Sequence, residues 1–270
     1  VDITEASGFV SYDSILLRHA TPARRVYVLF HGLTASPRQF ETFGRLLFDR
    51  GADVFIPRLP HHGYGDRLTS ALRHLTADEL RGFAEESYER ASTFGGSVRA
   101  VGFSVGGLLA AWLGQRRPLE RATAISPFLG VSWIPHGLTA RAARFALRVP
   151  NRFVWWDPIL RERLMPEHGY PRFPTHAVAV SAQLGQELLR DAAEHAPAAH
   201  EVQIVLNTSE AAVNNSAATA LARSWARSTR QRIVLHRVKG LPASHDIIEP
   251  MRHTAIVRHV YPALLDLVDR

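Results

Sequence analysis

The stretch Val98-Arg99-Ala100-Val101-Gly102-Phe103-Ser104-Val105-Gly106-Gly107 decides how this chain is read. Its first part is a short apolar run, predicted as a buried strand. Leu108-Leu109-Ala110-Ala111-Trp112-Leu113 continues it and is predicted as a helix. Between them lies Gly102-Phe103-Ser104-Val105-Gly106, a G-x-S-x-G pattern on a sharp strand-to-helix turn. The glycines leave room for that turn, where a Cβ would collide with neighbouring backbone. Such a turn presents the Ser104 hydroxyl and aims a helix N-terminus at whatever it attacks. The pattern by itself is common, and a glycine-rich loop with a surface serine spells the same letters. The strand before it and the helix after it make Ser104 a candidate nucleophile for acyl transfer.

Val26-Tyr27-Val28-Leu29-Phe30 is a second apolar run, and it ends in His31-Gly32-Leu33-Thr34. With the Ser104 turn downstream, this arrangement resembles the α/β-hydrolase fold family, and within it the carboxylesterases and monoacylglycerol-lipase-like enzymes. The resemblance implies a mostly parallel central sheet flanked by helices, with a helical cap insertion. It also implies an oxyanion hole made by two backbone N–H groups. One belongs to Leu33, after the His-Gly, and the other to Val105, after the serine. The run from Ala52 to Gly63 resembles the family's neighbouring strand and its Leu-Pro-x-His-Gly turn. His61 and His62 in that turn lack an H-E-x-x-H context and a carboxylate at ligand spacing, so no metal is expected there.

The partners of the serine follow in chain order. Arg232 to Val238 is predicted as the last strand, and Leu241-Pro242-Ala243-Ser244-His245-Asp246 follows it. Of the fourteen histidines, His245 alone falls in the short loop between last strand and last helix. His236 lies inside the strand; His253 and His259 lie on the final helix. A neutral His245 imidazole there takes the Ser104 proton and returns it to the leaving group. Val202 to Leu206 is predicted as the preceding strand, and Glu210 follows it. The family places an Asp in a D-x-x-V context here, and Glu210-Ala211-Ala212-Val213 matches that spacing with Glu. No other carboxylate lies between residues 202 and 245, which makes Glu210 the acid by elimination. Asp246 is badly placed to bond the ring that precedes it. The order Ser, acid, His is the one this fold uses.

The core is predicted over residues 1–126 and 176–270. One or two antiparallel strands at the sheet edge are expected between Phe9 and His19. Strands at 26–30, 52–57, 98–103, 121–125, 202–206 and 232–238 alternate with helices at 37–50, 76–92, about 215–228 and 250–268. Ser36-Pro37 and Thr76-Ala77-Asp78-Glu79 supply start signals for the first two helices. Residues 127–175 break the alternation, and the resemblance makes them a cap over the nucleophile. Leu138, Ala142, Phe145 and Val149 sit at helical spacing within them. Phe128, Trp155 and Trp156 are candidates for lining the substrate pocket. The two adjacent tryptophans are read as helical, about 100° apart, one facing in and one anchoring the cap. An apolar cap argues for an apolar acyl or alkyl group in the substrate.

The chain has 270 residues, a net charge of +7 and no cysteine, which excludes disulfides and thiol catalysis. Lys239 is the only lysine. The densest basic group, Arg141, Arg144, Arg148, Arg152, Arg161 and Arg163, reads as the solvated face of cap helices rather than a nucleic-acid stripe. No apolar run reaches the length of a membrane span, and no signal peptide is visible. The cytoplasm is the expected compartment. The expected function is hydrolysis of carboxylic esters with an apolar portion, through an acyl-enzyme, with a small-molecule ester as partner and without cofactor or metal. Thioesterase, amidase and carbon–carbon bond hydrolase activities remain open on the same residues. So does a ligand-binding protein without catalysis, since fold alone does not establish activity.

Overall fold

The structure, a computed structural model, describes residues 10–228, 231–251 and 254–269. Expectations that rest on Phe9 or His253 fall outside these residues. The first half contains β1 (Ile15–Leu17), β2 (Arg25–Phe30), α1 (Glu41–Asp49), β3 (Asp53–Ile56), α2 (Ala77–Ser92), β4 (Ser97–Phe103), α3 (Val105–Arg116) and β5 (Arg121–Ile125). The second contains α4 (His136–Ala146), β6 (Phe153–Trp155), β7 (Arg172–Pro174), α5 (Thr175–Glu194), β8 (Glu201–Asn207), α6 (Asn215–Ser228), β9 (Arg232–Val238) and α7 (Thr254–Asp269).

Seven strands form one sheet in the order β1-β3-β2-β4-β5-β8-β9. Every neighbouring pair is parallel except β1 and β3. Helices cover both faces, so strand side chains alternate between two apolar layers. Val26, Val28 and Phe30 face α2, α3, α5 and α6, while Tyr27 and Leu29 face α1 and α7. All five are fully buried. This explains why β2 reads as an unbroken apolar run. The expected mostly parallel α/β architecture is present, and it collects the loops after β2, β4, β8 and β9 at one end of the sheet.

Local signals act as their chemistry dictates. Thr76 Oγ1 accepts from Glu79 N at 3.1 Å, and Glu79 Oε2 accepts from Thr76 N at 2.8 Å, closing the capping box of α2. The helix expected over 37–50 opens as a 3-10 turn, Pro37–Phe40, capped by Ser36, before α1 begins.

Residues 127–175 hold α4, an antiparallel pair β6–β7, and irregular backbone. α4 carries Leu138, Ala142 and Phe145, but Val149 lies beyond its end. Trp155 and Trp156 are not helical. Trp155 closes β6 and Trp156 follows it, so their side chains leave on opposite sides. The 20-residue α5 was not among the expected elements. Its buried Ala177, Ser181, Leu184, Leu188 and Ala192 recur at helical spacing and are the signal that reveals it. α5 packs against α4 as well as α3 and α6, so it joins the 127–175 segment to the sheet's helical layer.

Candidate active site

Ser104 follows β4 with φ 57° and ψ −116°. A non-glycine residue in this left-handed region is strained and persists where its surroundings hold it. Ser104 N donates to Ile125 O at 3.0 Å, and Ser104 O accepts from Leu108 N and Phe128 N, each at 2.9 Å. The glycines have a direct cause. A Cβ on Gly106 would stand 1.9 Å from Phe30 O, and one on Gly102 would stand 2.0 Å from Gly106 O. The start of α3 therefore presses against the ends of β2 and β4, an approach that only glycine permits.

The loop after β9 brings His245 to this serine. His245 Nε2 lies 2.8 Å from Ser104 Oγ, and Nδ1 lies 2.8 Å from Glu210 Oε2. A carboxylate only accepts, so Nδ1 carries the ring proton and Nε2 is left to accept from the serine hydroxyl. Burial by itself would raise the Glu210 carboxyl. Its bond to His245 and the amides of Ala212 and Val213, at 2.7 and 3.4 Å, instead hold it below the usual carboxylate range. Phe103 packs against the imidazole, with ring centroids 4.8 Å apart. Asn207 Nδ2 donates to the carbonyls of Pro242 and Ser244, which ties the histidine loop to the end of β8.

On the other side of Ser104, the loop after β2 presents Leu33. Its neighbours are tied down: Gly32 N donates to Gln39 Oε1 at 2.8 Å, and Thr34 N to His62 Nε2 at 3.2 Å. Among the described residues, Leu33 N meets no protein acceptor, and neither does Val105 N at the start of α3. Both residues line the same cavity as Ser104. That pair of open donors is what a developing oxyanion requires.

Two cavities meet at Ser104. The larger, about 630 Å³, is apolar and is lined by Phe128, Phe145, Val154, Trp156, Ala179 and Ala182, among others. The smaller, about 120 Å³, is lined by Gln39, His168, His245 and Glu249 among others. Trp156 borders both, and its Nε1 donates to Thr34 Oγ1 at 2.8 Å. Trp155 lines neither; the guanidinium of Arg161 lies 5.6 Å from its ring centroid. The expectation that Trp155 contacts substrate is thus corrected. β6 is a strand, so Val154 and Trp156 share the cavity side and Trp155 takes the other.

A family model described as the alpha/beta hydrolase family matches residues 27–262. The chain belongs to that family. No curated protein matches it. The solved structures similar to this alpha/beta hydrolase include a monoacylglycerol lipase from Paleococcus ferrophilus. That match has 19% identity and a TM-score of 0.69, covering 94% of this chain and 99% of the other. Another is a soluble variant of monoglyceride lipase from Saccharomyces cerevisiae in complex with a substrate analog. It has 15% identity and a TM-score of 0.65, covering 100% and 97% of the two chains. An enol-lactonase from Burkholderia xenovorans LB400 also matches, at 15% identity and TM-score 0.59, covering 95% and 96%. At these identities the likeness speaks for the fold alone.

Three residues of this hydrolase's site were missed in the sequence or read without their role. Gln39 bridges the two loops that flank Ser104: Oε1 accepts from Gly32 N, and Nε2 donates to Asp246 Oδ2 at 2.9 Å. Asp246 Oδ1 also accepts from the amides of Ile248 and Glu249, each at 3.0 Å. His31 Nε2 accepts from Leu59 N at 3.2 Å and its Nδ1 donates to Gly32 O at 3.0 Å. His62 Nδ1 donates to Pro60 O at 2.8 Å, which leaves its Nε2 free to accept from Thr34 N. Both imidazoles act as neutral struts under the Leu33 loop. Among the described residues, no group of His, Asp or Glu is placed to hold a metal ion. Among the same residues, no helix is long and apolar enough to cross a membrane.

Burial pushes His31 well below 6.5, and pushes His62 down to about 4. The folded state therefore resists protonation that the unfolded chain accepts. Stability is whole above pH 6.5 and falls as pH drops toward 4; the His62 share amounts to about 3 kcal/mol. Between pH 7 and 5 the carboxylates with lowered pKa, such as Glu210, stay ionised, so this window isolates the histidines. Urea unfolding of His62→Gln over that window is expected to show a shallower loss of stability than the parent. Equal slopes would mean His62 does not titrate on unfolding.

Proposed function

We propose that this chain is a serine hydrolase of carboxylic esters carrying an apolar acyl or alkyl portion. The observation that carries the reading is the chain of hydrogen bonds from Ser104 through His245 to Glu210, 2.8 Å at each step, opening on an apolar cavity. Ser104 Oγ attacks the ester carbonyl carbon while His245 Nε2 takes its proton. Glu210 holds the imidazolium that forms. The Leu33 and Val105 N–H groups receive the oxyanion, each worth about 3 kcal/mol to the barrier. His245 then hands its proton to the departing alkoxide, which leaves as the alcohol. Water, deprotonated by the same imidazole, cleaves the acyl-enzyme and restores Ser104.

Residues 127–175 act here as the cap, with Phe128 and Trp156 in the pocket wall. The larger cavity falls within the size range of pockets that bury a small ligand. Its apolar lining suits a hydrocarbon chain. The test is a series of p-nitrophenyl esters from acetate to laurate, read as kcat/KM. A maximum at medium chain length supports the reading; no cleavage of any member removes it. The same series on Ala179→Leu and Ala182→Leu is expected to move the maximum toward shorter chains. Each substitution adds three carbons to the cavity wall, and each methylene of lost fit costs about 1 kcal/mol. Unmoved maxima in both folded variants would place the acyl chain elsewhere.

A further inference from the structure

The turn that carries the Leu33 N–H is held in part from residues 127–175. Ala35 N donates to Gly32 O at 3.2 Å, closing a turn with Leu33 and Thr34 at its corners. Thr34 stands there at φ 68°. That corner suits glycine or asparagine, and a β-branched side chain enters it only at a cost. The strain persists because each polar group of Thr34 is engaged. Its N–H donates to His62 Nε2 at 3.2 Å, and its carbonyl accepts from Tyr170 N at 2.7 Å. Its Oγ1 accepts from Trp156 Nε1 at 2.8 Å. The two partners from residues 127–175 differ in reach. Tyr170 is 3% exposed, lines neither cavity, and has its hydroxyl bound to Tyr64 N and His61 O. Trp156 is 37% exposed and borders both cavities. A substrate chain therefore meets Trp156 whichever cavity receives it.

We propose that Trp156 is a positioning residue for the oxyanion hole: a hydrocarbon chain lying against its indole holds Nε1–H on Thr34, and so keeps the Leu33 N–H aimed at the ester oxygen. The inference rests on the ester-hydrolase reading and adds that the chain acts on the rate of the chemical step. Without a chain, the partly exposed indole is free to give its hydrogen bond to water. The strained Thr34 corner then relaxes, and Leu33, the other corner of the same turn, moves with it. Binding energy from the far end of the substrate is thereby used in the transition state. It appears in kcat rather than in KM.

The test compares methyl hexanoate with methyl acetate, which share a small alcohol and differ in a chain able to cover the indole. In the wild type, kcat is expected to be about tenfold higher for the hexanoate, the scale of a misaimed donor rather than a missing one. Thr34→Val keeps the branched shape and removes the acceptor. It is expected to bring the hexanoate kcat down to nearly that of the acetate, with both KM values and the acetate kcat little changed. Thr34→Ser keeps the hydroxyl and is expected to restore the difference. Hexylboronic acid forms a tetrahedral adduct on Ser104 with an oxygen in the oxyanion hole, so its inhibition constant is expected to rise in Thr34→Val by the same factor. Should Thr34→Val fail to fold, Trp156→Phe removes the donor instead and is read in the same way. Equal wild-type kcat on the two esters overturns the proposal and leaves the ester-hydrolase reading standing. So does a loss in Thr34→Val that falls equally on both esters, is shared by Thr34→Ser, or leaves boronate inhibition unchanged. Failure to cleave either ester removes the reading and the proposal together.

Discussion

Replacing Ser104 by alanine is expected to lower kcat on p-nitrophenyl octanoate by at least about 10³-fold while leaving the protein folded. The loss is confined to one atom. Ser104 is 7% exposed, and its backbone bonds to Ile125, Leu108 and Phe128 do not involve the side chain. Alanine keeps those bonds, although it still occupies φ 57° and retains the strain. Without Oγ, His245 Nε2 loses its partner at 2.8 Å and no acyl-enzyme forms. Residual rate would come from the Leu33 and Val105 donors acting on attack by water. The check pairs steady-state kinetics with a thermal melt. Activity near that of the parent would place the nucleophile elsewhere.

Glu210→Gln is expected to cost about 10² to 10⁴ in kcat, with a small change in KM. Glu210 Oε2 accepts from His245 Nδ1, while Oε1 accepts from two amides. A glutamine presents one oxygen where two are needed. If its oxygen stays with Ala212 and Val213, its NH₂ faces Nδ1 and forces the proton onto Nε2. The ring then points a donor at Ser104 and cannot take its proton. If the amide flips, the backbone N–H groups lose their acceptor. Either way the imidazolium loses its counter-charge. Asp246→Asn is the control. Asp246 binds Gln39 and two loop amides rather than the imidazole. Its amide variant is expected to lower stability more than kcat, and to cost less rate than Glu210→Gln. The reverse ranking would reassign the acid.

Much of the site was legible because its constraints are local. Gly102 is required by Gly106 O four residues on, although Gly106 itself is required by Phe30 O on the neighbouring strand, and the strand-turn-helix around Ser104 is encoded in apolar runs on either side. The structure brings His245 and Glu210 to Ser104 as their chain order predicts, since each follows a parallel strand at the same end of the sheet. What stayed hidden depends on contacts across the chain. Gln39 acquires its role only when the β2 and β9 loops meet, and nothing in the surrounding residues announces it. His31 and His62 were visible as letters, but their neutral strut role needs the buried amides of Leu59 and Thr34. The tryptophan pair was misread for a physical reason. The Pro-rich segment between β5 and α5 has little periodicity, so a two-stranded β6–β7 pair and a helix fit it equally well. α5 was overlooked because alanine carries much of its buried face.

The most direct measurement of the central claim is intact and peptide mass spectrometry after exposure to a fluorophosphonate. One equivalent of label is expected, carried on Ser104, at a rate that falls sharply in His245→Ala. The reagent needs the serine to be both reachable and activated, so it reads the arrangement without any choice of substrate. No label at Ser104, or a label of the same extent and rate in His245→Ala, would contradict it.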